Sequence, residues 1–140
     1  MTAAFDPTVP APNTRGPFDA ALMLRDGAAA AITSTSAETA IALGVRTVEE
    51  FYVVINVSAL DHTTGDETYT ITVETDSAVA FPSATTVASL TVTATGTYEL
   101  PLTGPFIAQT DPTAAAIRVK ATLGGTTPIL KYGAWIAADV

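Results

Sequence analysis

The chain has no cysteine, a single histidine (His62), and six basic residues against fourteen acidic ones in 140 positions. Without cysteine there is no disulfide scaffold, thiolate metal site or cysteine nucleophile. The fold must rest on a core, and a single domain of this length buries roughly two-thirds of its unfolded surface, which is enough. A net charge of -8 with no basic cluster repels a phosphate backbone, so nucleic acid is not expected as a direct partner. No run approaches the roughly eighteen apolar residues of a membrane span, and "MTAAFDPTVP" has neither the positive start nor the continuous apolar stretch of a signal peptide. The expectation is a soluble protein made in the cytoplasm, with no membrane partner.

Residues suited to bond-making chemistry are equally scarce. His62 sits in the turn "LDHTTGDET" with no Gly-x-Ser-x-Gly elbow anywhere in the chain, and one histidine would leave a transition metal with carboxylate ligands only. Asp61, Asp66 and Glu67 in the same turn could hold calcium, but their spacing fits no EF-hand, and a plain solvated turn has the same composition. Gly124-Gly125-Thr126-Thr127 is not followed by the Lys-Ser or Lys-Thr of a phosphate loop, and it reads as a hairpin turn. No catalytic residue, metal ligand or cofactor is assigned, and the expectation is a protein that is not an enzyme.

What the chain does have is alternation. "EFYVVINVSAL" (Glu50 to Leu60) is a β-branched run whose near-continuous apolar character predicts a central strand covered on both faces. "ETYTITVET" sets Tyr69, Ile71 and Val73 against Thr70, Thr72 and Glu74. Tyr98, Leu100 and Leu102 share a face, and Ile117, Val119, Ala121 and Leu123 oppose Arg118, Lys120 and Thr122. Turn residues separate these runs, and the alanine-rich stretch after Phe18 reads as two or three short strands with an Asp26-Gly27 turn rather than as a helix. Seven or eight strands without a convincing amphipathic helix predict an all-β, antiparallel β-sandwich or jelly roll over residues 19–140, a small closed barrel being the alternative.

Residues 1–18 form a separate unit, an extended proline-rich N-terminal arm. Pro7, Pro10, Pro12 and Pro17 exclude a helix or a central strand, and polyproline geometry at about 3.1 Å per residue gives the arm a reach of roughly 50 Å. A disordered tail is the plainer reading. As a contact segment the arm would present Phe5, Pro7, Val9, Pro10 and Pro12. Trp135 is the one good candidate for an interface anchor in the globular part, against an ordinary core position. Trp135 or Tyr132 could otherwise serve as the platform of a carbohydrate- or receptor-binding module of a virion or tail fibre.

Three segments, "VETDSAVAF" (Val73 to Phe81), "YELPL" (Tyr98 to Leu102) and "IRVKATLGGTTPILKYGAWI" (Ile117 to Ile136), resemble the cement, or decoration, proteins of tailed-bacteriophage capsids. The likeness is to the small jelly-roll type encoded beside the major capsid protein, and it covers about residues 19 to 138. It implies a non-enzymatic virion protein on the exterior of an icosahedral head. Its implied partners are the major capsid protein and neighbouring copies of itself, as a homo-dimer or homo-trimer, and its role is to stabilise contacts between capsomers. The proline-rich arm has no counterpart in that pattern.

Overall fold

The computed structural model describes residues 22–43 and 50–138. In chain order these form β1 (Met23–Arg25), β2 (Ser36–Ala37), β3 (Ile41–Ala42), β4 (Glu50–Leu60), β5 (Thr68–Asp76), β6 (Thr85–Thr91), β7 (Gly96–Thr103), α1 (Gly104–Thr110), β8 (Ala116–Gly124) and β9 (Leu130–Ala138). One antiparallel sheet has the order β1-β9-β4-β7, and the other has β2-β8-β5-β6 with β3 also paired to β8. Because Ser36 lies opposite Ala121 and Ile41 opposite Ile117, β2 and β3 are two pieces of one interrupted edge strand. The pairs β1/β9, β2–β3/β8, β4/β7 and β5/β6 are therefore nested one inside the next, the winding of a jelly roll. The predicted sandwich is present as two separate sheets.

Alternation decides the core. Phe51, Val53, Ile55 and Val57 of β4 meet Tyr69, Ile71 and Val73 of β5 and Ile117, Val119 and Ala121 of β8, and Leu130, Tyr132, Ala134 and Ile136 of β9 complete the layer. Burying each large apolar side chain contributes about 1.5–3 kcal/mol, which makes this interface the main source of stability.

The pairing differs from the expectation at two glycine turns. The segment from Arg118 to Ile136 is two strands about a glycine turn, as predicted, but it is not a hairpin, because β8 and β9 lie in different sheets. The Asp26-Gly27 turn forms, with the Ala29 amide donating to the Asp26 carbonyl at 3.0 Å, yet it leads out of β1 toward the other sheet. Among the described strands, β5 and β6 are the consecutive pair that forms a hairpin within one sheet. Alternation reports which face of a strand is buried but not which strand lies beside it.

Gly104 and Pro105, a turn-type pair in the sequence, begin α1. The Thr103 hydroxyl accepts from the Phe106 amide at 3.1 Å, and proline occupies the first turn, where its missing N–H removes no helical bond. Ile107 enters the core and Phe106 faces outward.

Candidate functional site

Phe5, Pro7, Val9, Pro10 and Pro12 lie outside the described residues, as does the arm as a whole. Trp135 does not pack in the core. Its neighbours in sequence, Ala134 and Ile136, point inward, so its ring stands half-buried on the outer face of the first sheet. Across that face Met23 of β1, Trp135 of β9, Val54 of β4 and Glu99 of β7 fall in one row, and Ala137, Tyr52 and Pro101 in the next. Val54 is only 5% exposed although it belongs to this outer row and not to the core. Trp135 and Glu99 flank it on either side in the register of the sheet.

The outer face of the second sheet has a different chemistry. Thr72 lies beside Lys120 and Ser89, Thr70 beside Thr122 and Thr91, and Glu74 beside Arg118. Arg118 Nε donates to Glu74 Oε1 at 2.9 Å, and its guanidinium lies 4.2 Å from the centre of the Phe81 ring. Asp76 accepts the Ser77 amide at 2.6 Å and the Ser83 amide at 2.5 Å. Burial alone would raise the Asp76 carboxyl, but the Ser83 and Ser77 hydrogen bonds and the Arg118 charge outweigh it and hold the group below its ordinary value. The "VETDSAVAF" and "IRVK" segments thus meet in one cluster that shapes the β5–β6 connection.

The turn around His62 is built in the same way. Asp61 accepts the Thr63 hydroxyl and, at 2.8 Å, the Thr63 amide, and Glu67 accepts the amides of Thr64 and Asp66. Asp66 takes the Thr126 amide at 3.0 Å and the Thr126 hydroxyl at 2.8 Å, fastening the β4–β5 connection to the β8–β9 connection. The Thr63 hydroxyl lowers the Asp61 carboxyl, and the Thr126 amide lowers that of Asp66. His62 is exposed, with Nε2 3.2 Å from the Thr93 carbonyl and its ring edge-on to Tyr69. These carboxylates spend their oxygens on loop amides and hydroxyls. Among the described residues no group of three His, Asp or Glu converges on a point suited to a metal ion.

Among the described residues, clefts lie at both lateral edges of the sandwich, and they are unlike. Between β1 and β2–β3, a cleft of about 350 Å³ is lined by Arg25 and Glu38 among others. Its Nη1 donates to Glu38 Oε2 at 2.8 Å, Nη2 to the Ala30 carbonyl at 2.7 Å and Nε to the Tyr132 carbonyl at 2.9 Å, with the guanidinium 4.8 Å from the Tyr132 ring centre. Tyr132 is fully buried, so it cannot be the exposed ligand platform considered from sequence. Burial pushes its hydroxyl well above the ordinary range, and that hydroxyl has no hydrogen-bond partner.

The opposite opening, between β6 and β7, is apolar. Val87, Ala88, Pro101, Leu102, Thr103 and Phe106 line about 290 Å³, and Phe106 is 45% exposed. Phe106 carries no signal in the sequence, because Gly104-Pro105 has the composition of a turn. Tyr52 and Val54 did have a signal, the unbroken apolar run of β4.

No helix among the described residues is long and apolar enough to cross a membrane. Comparison with family models, with curated proteins and with solved structures finds no match to this chain.

Proposed function

We propose that this chain is a structural virion protein, a cement protein that binds the outside of an icosahedral phage head and stabilises contacts between capsomers. The observation that carries the reading is the outer face of the first sheet, where half-buried Met23, Trp135 and Tyr52 and exposed Pro101 lie in adjoining rows. A half-buried tryptophan on the outer face of a sheet is the kind of residue that anchors a contact with another macromolecule. The likeness of three sequence segments to phage cement proteins supplies the identity of the partner, and the jelly-roll winding agrees with it as fold-level analogy. On a shell, many copies bind at fixed spacing, so contacts of modest affinity add up to durable attachment. The net charge of -8 favours an exterior position, away from packaged DNA.

The test is to mix the purified protein with undecorated heads of its phage. Saturable binding at a fixed number of copies per head, with a rise in the temperature at which heads release DNA, is expected. Absence of saturable binding rejects the proposal.

A further inference from the structure

The connection between β5 and β6 stands apart from the core that it borders. Residues 77–84 are exposed except for half-buried Phe81, and Val79 is 62% exposed. The core cluster contains none of them. We propose that residues 77–83 form a latched strap, closed by the Asp76 carboxylate, that opens on acidification while both sheets stay folded.

Asp76 holds both ends of the strap. Its Oδ1 accepts the Ser77 amide at 2.6 Å and the Ser77 hydroxyl at 3.3 Å, and its Oδ2 accepts the Ser83 amide at 2.5 Å. One side chain thus fixes where the strap leaves β5 and where it returns toward β6. Between these ends the Phe81 amide donates to the Ala78 carbonyl at 3.0 Å, and the Phe81 ring centre lies 4.2 Å from the Arg118 guanidinium. Arg118 is itself held by Glu74, so the ring packs on a fixed surface.

Phe81 supplies the tendency to open. Its φ of +51° lies in the left-handed region, which a large L side chain adopts only at a cost. Pro82 follows it, and a residue before proline favours extended backbone. Strained backbone persists only where its surroundings over-determine it, and here those surroundings are two hydrogen-bonded ends and a ring contact. Once released, Phe81 has an extended conformation to move to, and a segment with so little buried surface can open without breaking the sheets.

Charge decides between the two states. An ionised carboxylate accepts both amides strongly and attracts Arg118, and a protonated one does neither as well. The charged groups around it are Arg118 of β8, Glu74 of β5, which shares Arg118, and Asp111 at the end of α1, whose carboxylate is turned to the Thr75 and Thr113 hydroxyls. β6 carries no ionisable side chain. Burial raises the Asp76 carboxyl, but the Ser83 and Ser77 hydrogen bonds and the Arg118 charge outweigh it. The latch is therefore charged at neutrality, and the strap opens as pH falls through a value below the ordinary carboxylate range, under about pH 4. Opening frees the Phe81 ring from Arg118 and adds it to the exposed Val79.

Amide hydrogen exchange of the full chain, normalised for the intrinsic rate at each pH, separates local opening from unfolding. Between pH 7 and pH 3 the Ser77, Phe81 and Ser83 amides are expected to lose protection, while Ile55 and Ile71, in inner strands of the two sheets, keep theirs. Asp76→Asn should show the open strap already at pH 7. Strain gives a second signature. Phe81→Gly and Phe81→Ala both lack the ring, but only alanine retains the cost of the left-handed backbone, so Ser83 should be about five-fold or more better protected in Phe81→Gly. Strap amides still protected at pH 3, or lost only together with Ile55 and Ile71, overturn the proposal. So does an Asp76→Asn strap as protected as the parent's at pH 7, or equal protection in the two Phe81 variants. The pH series on the parent needs no substitution, so it decides the matter even where a variant does not fold.

Discussion

Arg118 and Asp76 show how single residues join segments that are distant in sequence. Arg118 bonds to Glu74 across the β5–β8 pair and stacks on Phe81, while Asp76 collects the amides on either side of the loop that carries Phe81. A carboxylate held below its ordinary value in the folded state contributes stability that is fully present above the unfolded value, near pH 4, and is lost as pH falls through the folded value. Asp61, Asp66 and Asp76 are all shifted in that direction. The urea midpoint is therefore expected to be flat around neutrality and to fall on acidification below about pH 4. Asp76→Asn should lower the midpoint at pH 7, and its gap from the parent should narrow by pH 3. A gap independent of pH would mean that the Asp76 charge is not what holds the loop.

Connections between strands carry much of this fold's specificity, and two glycines separate their contributions. Gly65 and Gly125 have nearly the same backbone, φ +88° and +89°, a conformation that costs an L side chain about 1–2 kcal/mol. A Cβ at Gly65 meets open space, whereas at Gly125 it would strike the Asp66 carbonyl and, at 2.7 Å, the Glu67 Cα. Gly65→Ala should therefore cost about 1 kcal/mol, and Gly125→Ala clearly more, because its connection must move off the β4–β5 turn. Equal losses in chemical denaturation would show that the two connections are not packed together. The same elements mark how far the sequence was legible. Strand existence and buried faces were, since Tyr69/Ile71/Val73 and Ile117/Val119/Ala121 carry the core as their alternation requires. Pairing was not, because a glycine-containing turn between two alternating strands serves equally for a hairpin and for a crossing between sheets. The helix gives no signal because seven residues, Gly104–Thr110, are too few to show a period. The outer position of Trp135 follows from the register of β9 alone, yet in the sequence an isolated aromatic beside Ile136 reads as core.

At the scale of the whole molecule, the two sheets face outward with different chemistries, and the clefts at the lateral edges differ as well. The threonine-rich face of the second sheet with its Glu74–Arg118 pair is suited to water, and the Arg25–Glu38 pair makes one lateral cleft polar. The outer face that carries Trp135 is the surface proposed for the shell contact. Removing the Trp135 ring separates folding from attachment. Truncating a core tryptophan costs about 3–5 kcal/mol, but Trp135 lies outside the core, so Trp135→Ala should cost no more than about 1–2 kcal/mol and leave the free protein folded. If the ring anchors the shell contact, its loss removes about 2 kcal/mol or more of binding, roughly a thirty-fold drop in affinity for undecorated heads. An apolar contact also predicts attachment that changes little between low salt and about 0.5 M, whereas attachment through charge would weaken steeply. Full head affinity in Trp135→Ala, or strong salt dependence in the parent protein, would move the shell contact away from the first sheet's outer face and onto the charged face of the second.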